Sequence, residues 1–386
     1  MKIKKIILLI IIFTLTSCYD NKELNSIAIL TATEINKVDD NYIINAEVVN
    51  PQAPEKQTIK ASPFVIYTGT GKTIQEAYRQ IKLSSSRYLY PEHLQVLIIN
   101  ENLAKEDISK ILDFYLRDPS IRTEFNILIG RDNDILSTTT PIEEISSSSI
   151  NETIKTNNRF QGVTNLTTLN ELAIMSLNPN TEIIIPSIKL KNITKEADTE
   201  ENINNSKINT MYELSGLAIF KNNKLLGYLD NNQSISYNIV KSQVKSSVLS
   251  YECEKSKYLS AEIINSKSKI SVKNNQINIT VTADTTINES NCNLKLNENK
   301  NISLLENNLS LHLKNNLEND INYIRNTYNS DVFGFLDEIY KHNYKEYLKI
   351  KDNWYNKTFK NYPINITTKV NIISKGNIME GYNEKN

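Results

Sequence analysis

Along most of the chain, apolar residues either alternate with polar ones or recur at helical spacing, and the order of the two periods predicts the elements. Residues 27–34 and 42–49 read as strands joined by the turn-forming Asp39-Asp40-Asn41, a hairpin. A third strand, 63–67, runs into Gly69-Thr70-Gly71-Lys72. A helix then opens with the capping box Thr73-Ile74-Gln75-Glu76 and carries Ile74, Ala77, Tyr78 and Ile81 on one face. After a strand at 95–99 comes a helix over about 105–116, with Ile108, Ile111, Leu112 and Tyr115 in register and Pro119 as its stop. Residues 125–129 form the next strand. The polar stretch 146–177 predicts two short helices, and 183–190 another strand.

Residues 194–209 are charged, Asn-rich and poor in apolar side chains, which predicts a linker between domains. Beyond it, 213–220 and 224–228 flank Asn222-Asn223, and 259–272 and 276–287 flank Asn274-Asn275, two hairpin signals. Ser303-Leu304-Leu305-Glu306 then reads as the opening of a long helix striped by Leu309, Leu313, Leu317, Ile321, Ile324 and Tyr328. A helix over about 331–342 and a strand near 364–373 close the pattern. The expected fold class is α+β and multi-domain, with mixed sheets and packed helices: an N-terminal α/β-type region, then antiparallel strands followed by helices. The boundaries this implies are 1–17 for a leader, 18–192 for a first domain, 193–209 for the linker and 210–380 for a second domain, with a hairpin subdomain at about 210–245.

The first residues change the picture from a soluble body to a tethered one. Basic Met1-Lys2-Ile3-Lys4-Lys5, an apolar run from Ile6 to Phe13 too short to span a bilayer, and Leu15-Thr16-Ser17-Cys18 have the layout of a secretory signal. An aliphatic residue, two small residues and a cysteine resemble the lipobox of bacterial lipoprotein precursors, so Cys18 is expected to become the lipid-bearing first residue. A diacylglyceryl thioether plus an amide-linked acyl chain such as palmitate supplies the two signals that stable anchoring requires. No later segment has the ~20 apolar residues of a spanning helix, which puts the body on the outer side, anchored to the membrane.

Composition narrows the chemistry. The formal charge of +0 falls to −3 once Lys2, Lys4 and Lys5 leave with the signal, and such a balance carries no electrostatic footprint for nucleic acid. Cys253 and Cys292 fall in strand-like segments of one region, where an exported compartment permits either a disulfide between them or two separate buried thiols.

Gly69-Thr70-Gly71-Lys72-Thr73 looks like the end of a phosphate loop, but Ile66 stands where the first glycine must curl around the phosphates. The glycines are therefore read as turn residues before the helix. Three histidines, His93, His312 and His342, with no His-Glu-x-x-His or Cys-x-x-Cys spacing, give no zinc site. His312 and His342 read as solvated helix residues and His93 as a packing or hydrogen-bonding one. The run from Ser146 to Ser149 reads as a flexible loop, and the pairs Glu143-Glu144 and Glu200-Glu201 sit in polar stretches with no sign of a cleft. No catalytic residue, metal ligand or cofactor is expected.

These segments together resemble one family, the Ger(x)C lipoproteins, the C subunits of spore-germination receptors. Cys18-Tyr19-Asp20-Asn21-Lys22-Glu23-Leu24 is similar to that family's Cys-Trp-Asp-x-x-Glu-Leu opening, and Gly71-Lys72-Thr73-Ile74-Gln75-Glu76-Ala77 to its helix start. The stretch from Ser86-Arg87 to His93, Leu103-Ala104, Tyr115-Leu116-Arg117-Asp118 and Ile121-Arg122 follow in the family's order. So do Gly216-Leu217-Ala218-Ile219-Phe220 with Lys224-Leu225-Leu226-Gly227-Tyr228-Leu229, then Asp331-Val332-Phe333-Gly334-Phe335, Trp354 and Phe359. The chain departs from the pattern at Tyr19 and Tyr347, where Trp is usual, and at Leu336, where a glycine is common and the local turn is put in question.

The resemblance implies a non-catalytic subunit of a nutrient germinant receptor, assembled with two integral-membrane subunits, A and B, on the outer face of the spore inner membrane or the cytoplasmic membrane. A solute-binding lipoprotein of an importer is the competing reading. It requires a cleft between two similar α/β lobes, and saturable binding of an amino acid or sugar by the purified chain would favour it.

Overall fold

The computed structural model describes residues 23, 26–50, 62–140, 145–193, 197–204, 206–292, 296 and 298–375. Two sheets organise them. The larger has nine strands in the order β3-β2-β1-β5-β6-β7-β8-β9, with β4 also beside β1. These are β1 (Ile27–Val38), β2 (Asn41–Val49), β3 (Phe64–Gly71), β4 (Tyr88–Tyr90), β5 (Val96–Asn100), β6 (Asn126–Gly130), β7 (Ile184–Lys191), β8 (Met211–Lys221) and β9 (Lys224–Tyr228). β1, β5, β6 and β7 run parallel, and the outer pairs are antiparallel. Parallel neighbours need covered faces, and β5 shows this in sequence: Leu97 and Ile99 face one core, Val96 and Ile98 the other.

The first face is covered by α1 (Ile74–Ile81), α2 (Glu101–Glu106), α3 (Ser109–Arg117) and α5 (Leu169–Leu177). On the second lies α4 (Ser146–Phe160), through Ile150 and Ile154. The second sheet has the order β10-β11-β12-β13, with β10 (Ser247–Glu254), β11 (Lys257–Lys273), β12 (Gln276–Ser290) and β13 (Ile364–Ser374). One face of it is buried by α7 (Asn231–Val240), α8 (Asn299–Thr327) and α9 (Phe335–His342); α10 (Tyr344–Ile350) follows, and α6 (Glu200–Asn204) precedes β8. Along α8, Leu305, Leu309, Leu313, Leu317, Ile321 and Ile324 form the buried stripe. Each such side chain contributes about 1.5–3 kcal/mol of burial. The architecture is α+β, as the periodicities imply.

The structure moves several expected boundaries. The helix expected over 105–116 is two, because Asp107 is extended and the Ile108 N–H is committed to Asn223 O at 3.0 Å. Asn100 caps α2 by accepting from Asn102 N at 3.0 Å. α8 begins four residues before Ser303, and α9 begins at Phe335, after a turn that Gly334 makes at φ 72. β4, α7 and α10 were not legible in the pattern, and β10 only as the strand-like segment around Cys253. Ser146–Ser149 is no loop: it is the first turn of α4, with Ser146, Ser147 and Ser149 buried.

Gly69 and Gly71 are not turn residues either. They lie in β3 paired with β2, where a side chain on Gly69 would strike the Ala77 carbonyl and, at 2.7 Å, Ile81 of α1. The two Asn-Asn hairpins hold as expected, with all four asparagines left-handed (φ 50, 62, 51 and 54) in two-residue loops. The stretch read as a linker joins β7 to β8, which are adjacent strands of one sheet. In it Asn202 is buried and accepts from Thr210 N at 3.0 Å while donating to Thr210 O at 2.8 Å.

Candidate functional site

Asp331 sits where the larger sheet meets the helices of the second half. The chain leaves α8 through left-handed Asn329, and the Ser330 hydroxyl donates to Phe220 O on β8 at 2.6 Å. Asp331, fully buried, accepts from Phe335 N at 2.9 Å and Leu336 N at 2.8 Å, capping α9, and from Trp354 Nε1 at 3.2 Å. Its own carbonyl accepts from Glu182 N at 3.1 Å. Burial pushes its carboxyl up to about 6, although three donors and nearby Lys241 favour the charged form. Lys241, itself held below the usual ammonium range by burial, donates to Phe333 O at 3.1 Å.

Around this carboxylate the aromatic residues of the family-like segments pack. Phe333 stacks on Phe335 at 5.1 Å between centroids and meets Tyr237 at 5.5 Å. Trp354 lies 5.4 Å from Phe359 and 5.5 Å from Tyr362. Arg325, buried with no carboxylate within ion-pair distance among the described residues, donates to Phe359 O at 3.0 Å and Tyr362 O at 2.8 Å, so carbonyl dipoles solvate it. Leu336 causes no distortion: Gly334 takes the left-handed turn, and a side chain there would meet Thr181 Oγ1 at 2.8 Å. Lys221 donates to Asn329 O at 2.9 Å, Tyr328 to Tyr228 O at 2.8 Å and Tyr347 to Asn180 Oδ1 at 3.2 Å. Segments 216–229, 331–335 and 354–359, far apart in sequence, thus form one sealed junction. Most of its polar groups are bonded within it, the buried Tyr362 hydroxyl and Asn329 Oδ1 excepted, and what the arrangement does is lock two sheets together.

Two more buried carboxylates lie on the α4 face of the larger sheet. Glu34 accepts from Ile135 N at 3.4 Å and Leu136 N at 3.3 Å, and burial pushes it up to about 7. Glu47 accepts from the Thr31 hydroxyl at 2.8 Å and Ser147 N at 3.1 Å, and burial raises it too. Sequence reasoning missed Glu34 and Glu47, and met Asp331 only as the first residue of a family-like segment, without its role as the buried cap. The signal for Glu34 was its place in a strand apolar on both faces; for Asp331 it was an aspartate just before a Gly-Phe helix start.

Of the residues singled out in the sequence, Cys18 and Glu143-Glu144 lie outside the described residues. Cys253 of β10 and Cys292 beyond β12 are bonded, Cα atoms 6.1 Å apart. His312 is half-buried against Tyr251, 5.7 Å between rings, with its pKa lowered by burial, so it is not a solvated residue. His342 is exposed at the end of α9, and His93 lies 5.9 Å from Tyr90. Among the described residues no cluster of His, Cys, Asp or Glu could hold a metal ion, and no helix is long and apolar enough to cross a membrane.

An α+β body of two unlike sheets, locked through a buried carboxylate and a tryptophan, defines the structural class. Known proteins give that class its family. The model of the spore germination protein N-terminal domain matches residues 20–190, and that of the spore germination B3/GerAC-like C-terminal domain matches residues 215–376. The chain is 25% identical to spore germination protein KC of Bacillus subtilis (strain 168), covering 96% of this chain and 95% of that protein. It is 24% identical to spore germination protein B3 of the same organism over 33% of this chain and 34% of the relative. The crystal structure of the GerBC protein shares the fold, with a TM-score of 0.57 at 17% identity over 88% of this chain and 96% of that one. The chain belongs to the Ger(x)C family, the C-subunit family of spore-germination receptors.

Proposed function

We propose that this chain is the lipid-anchored, non-catalytic C subunit of a nutrient germinant receptor. Cys18 holds it on the outer face of the spore inner membrane, and it acts by assembling with two integral-membrane subunits. The observation that carries the reading is the pair of family matches over 20–190 and 215–376, with Leu15-Thr16-Ser17-Cys18 directly ahead of the first. The sealed junction supports it, since a body locked as one unit suits a scaffold. The Cys253–Cys292 bond agrees with an exported location, because cytosolic thiols are kept reduced. Tethering contributes through effective concentration, so that modest surface complementarity holds a complex.

The test is Cys18→Ala in the spore-former. The variant protein is expected in the soluble fraction, with nutrient-triggered germination lost and germination by a receptor-independent route intact. Wild-type nutrient germination with a soluble, unlipidated chain would sink the anchoring argument.

A further inference from the structure

We propose that one end of the larger sheet, formed by Arg79, Lys82, Leu83, Arg87 and Tyr88, is a docking face for an anionic lipid bilayer; the inference rests on Cys18 carrying the lipid. β4 pairs in parallel with the very start of β1, Ile27 opposite Tyr88, so this face lies beside the first strand residues. Ile27 stands only nine positions after Cys18, a reach of at most about 30 Å when fully extended. The chain that would run to the membrane therefore leaves the body at this end and holds the face close to the headgroups.

The surface has the chemistry of a bilayer interface. Leu83, 87% exposed, follows Lys82, whose Nζ stands 4.8 Å from the ring centre of Tyr88, itself 43% exposed. An exposed leucine flanked by an aromatic ring and cations suits the boundary between headgroups and acyl chains. Among the described residues, Arg79, Lys82 and Arg87 have no carboxylate within ion-pair distance. In the neighbouring connection, Arg117 is matched by Asp113 at 2.7 Å and Arg122 by Glu92 at 3.8 Å.

The two connections adjoin across a cavity of about 90 Å³ lined by Arg79, Lys82, Tyr88, Phe114, Asp118 and Ile121. Asp118 is already engaged there by Ser120 N at 2.9 Å and its hydroxyl at 2.6 Å. Four of the chain's seven arginines, Arg79, Arg87, Arg117 and Arg122, gather at this end, in a chain whose other cations are mostly lysines. Arginine's planar fork suits phosphate better than a lysine does, which favours lipid phosphate as the occupant.

Two measurements test the face. In the first, the lipidated full chain carrying Leu83→Trp is reconstituted in phosphatidylglycerol/phosphatidylcholine vesicles with bromine-labelled acyl chains. Emission from the introduced indole is expected to be quenched several-fold more than that of a Val248→Trp control on the second sheet, with buried Trp354 as constant background. In the second, the unlipidated Cys18→Ala chain is expected to partition onto the same vesicles roughly 150-fold better than its Arg79→Gln/Lys82→Gln/Arg87→Gln derivative, about 1 kcal/mol for each of three cations. The two readings fail separately: a chain that does not float with vesicles despite Cys18 overturns the anchor, and the second measurement still tests the face. Equal partition of the two untethered chains overturns the face, as does an unquenched indole in a Leu83→Trp chain that floats. Burial of that indole only when the integral-membrane subunits are present overturns it as well and assigns the surface to a protein partner.

Discussion

Glu34 holds its proton in the folded chain up to about pH 7, whereas an exposed glutamic acid releases it near 4.5. Burial is the cause, because the two N–H groups of Ile135 and Leu136 are long donors and no cation stands beside it among the described residues. Between those two pH values the native state binds more protons than the unfolded chain, so its contribution to stability falls as pH rises and is constant outside the window. Glu34→Gln keeps an acceptor for the same N–H groups and removes the ionisation. The variant should match wild type below about pH 4.5 and exceed it above pH 7 by up to about 3 kcal/mol, read from urea midpoints across the range. Parallel pH profiles for the two proteins would refute this account of Glu34. Asp331 and Glu47 stay in both proteins, so their own titration cancels in the difference.

The contact between α1 and β3 turns on a missing side chain. Gly69 lets the helix backbone at Ala77 approach the strand, and a methyl group there would strike both Ala77 O and Ile81. Gly69→Ala should therefore cost about 1–3 kcal/mol by pushing α1 from the sheet, seen as a lowered denaturant midpoint. A variant as stable as wild type would rule the close approach out as the reason for the glycine. The sequence allowed the helix and the strand to be read but not this contact, because glycine before a helix cap looks the same whether it turns the chain or admits a neighbour.

The same limit explains the other differences. Where one face is buried, as along α8 and β12, spacing sufficed. It failed where the deciding partner is distant: Asn223 O divides α2 from α3, and Asp331 sets the start of α9. The serines of α4 looked like a loop because their burial depends on Glu47 and Leu136, remote in sequence. The junction's segments were each visible as family-like motifs, but that they meet around Asp331 and Trp354 follows only from the fold.

At the scale of the molecule, the question is whether the stretch 193–209 separates two bodies. Its composition says linker, yet β7 and β8 on either side are paired from Ile184 opposite Ile219 to Lys191 opposite Met211. Ile184, Leu217 and Ile219 of that pair also belong to the same buried cluster as Leu259, Ile279 and Leu317 of the second half. Hydrogen bonds from Glu182 N to Asp331 O, Asn238 Nδ2 to Gly162 O and the Tyr347 hydroxyl to Asn180 Oδ1 cross the same boundary. The covalent link through 193–209 is thus a small part of what joins the halves. A specific protease site placed at exposed Ser206 and Lys207 tests this directly. After cleavage the fragments should co-elute under native conditions, part only in denaturant, and melt in one calorimetric transition as the intact chain does, because the core that spans both sheets is uncut. Two fragments that separate in native buffer, or two resolved transitions in the intact chain, would mean that the junction is a contact between independent domains and not the lock that makes them one.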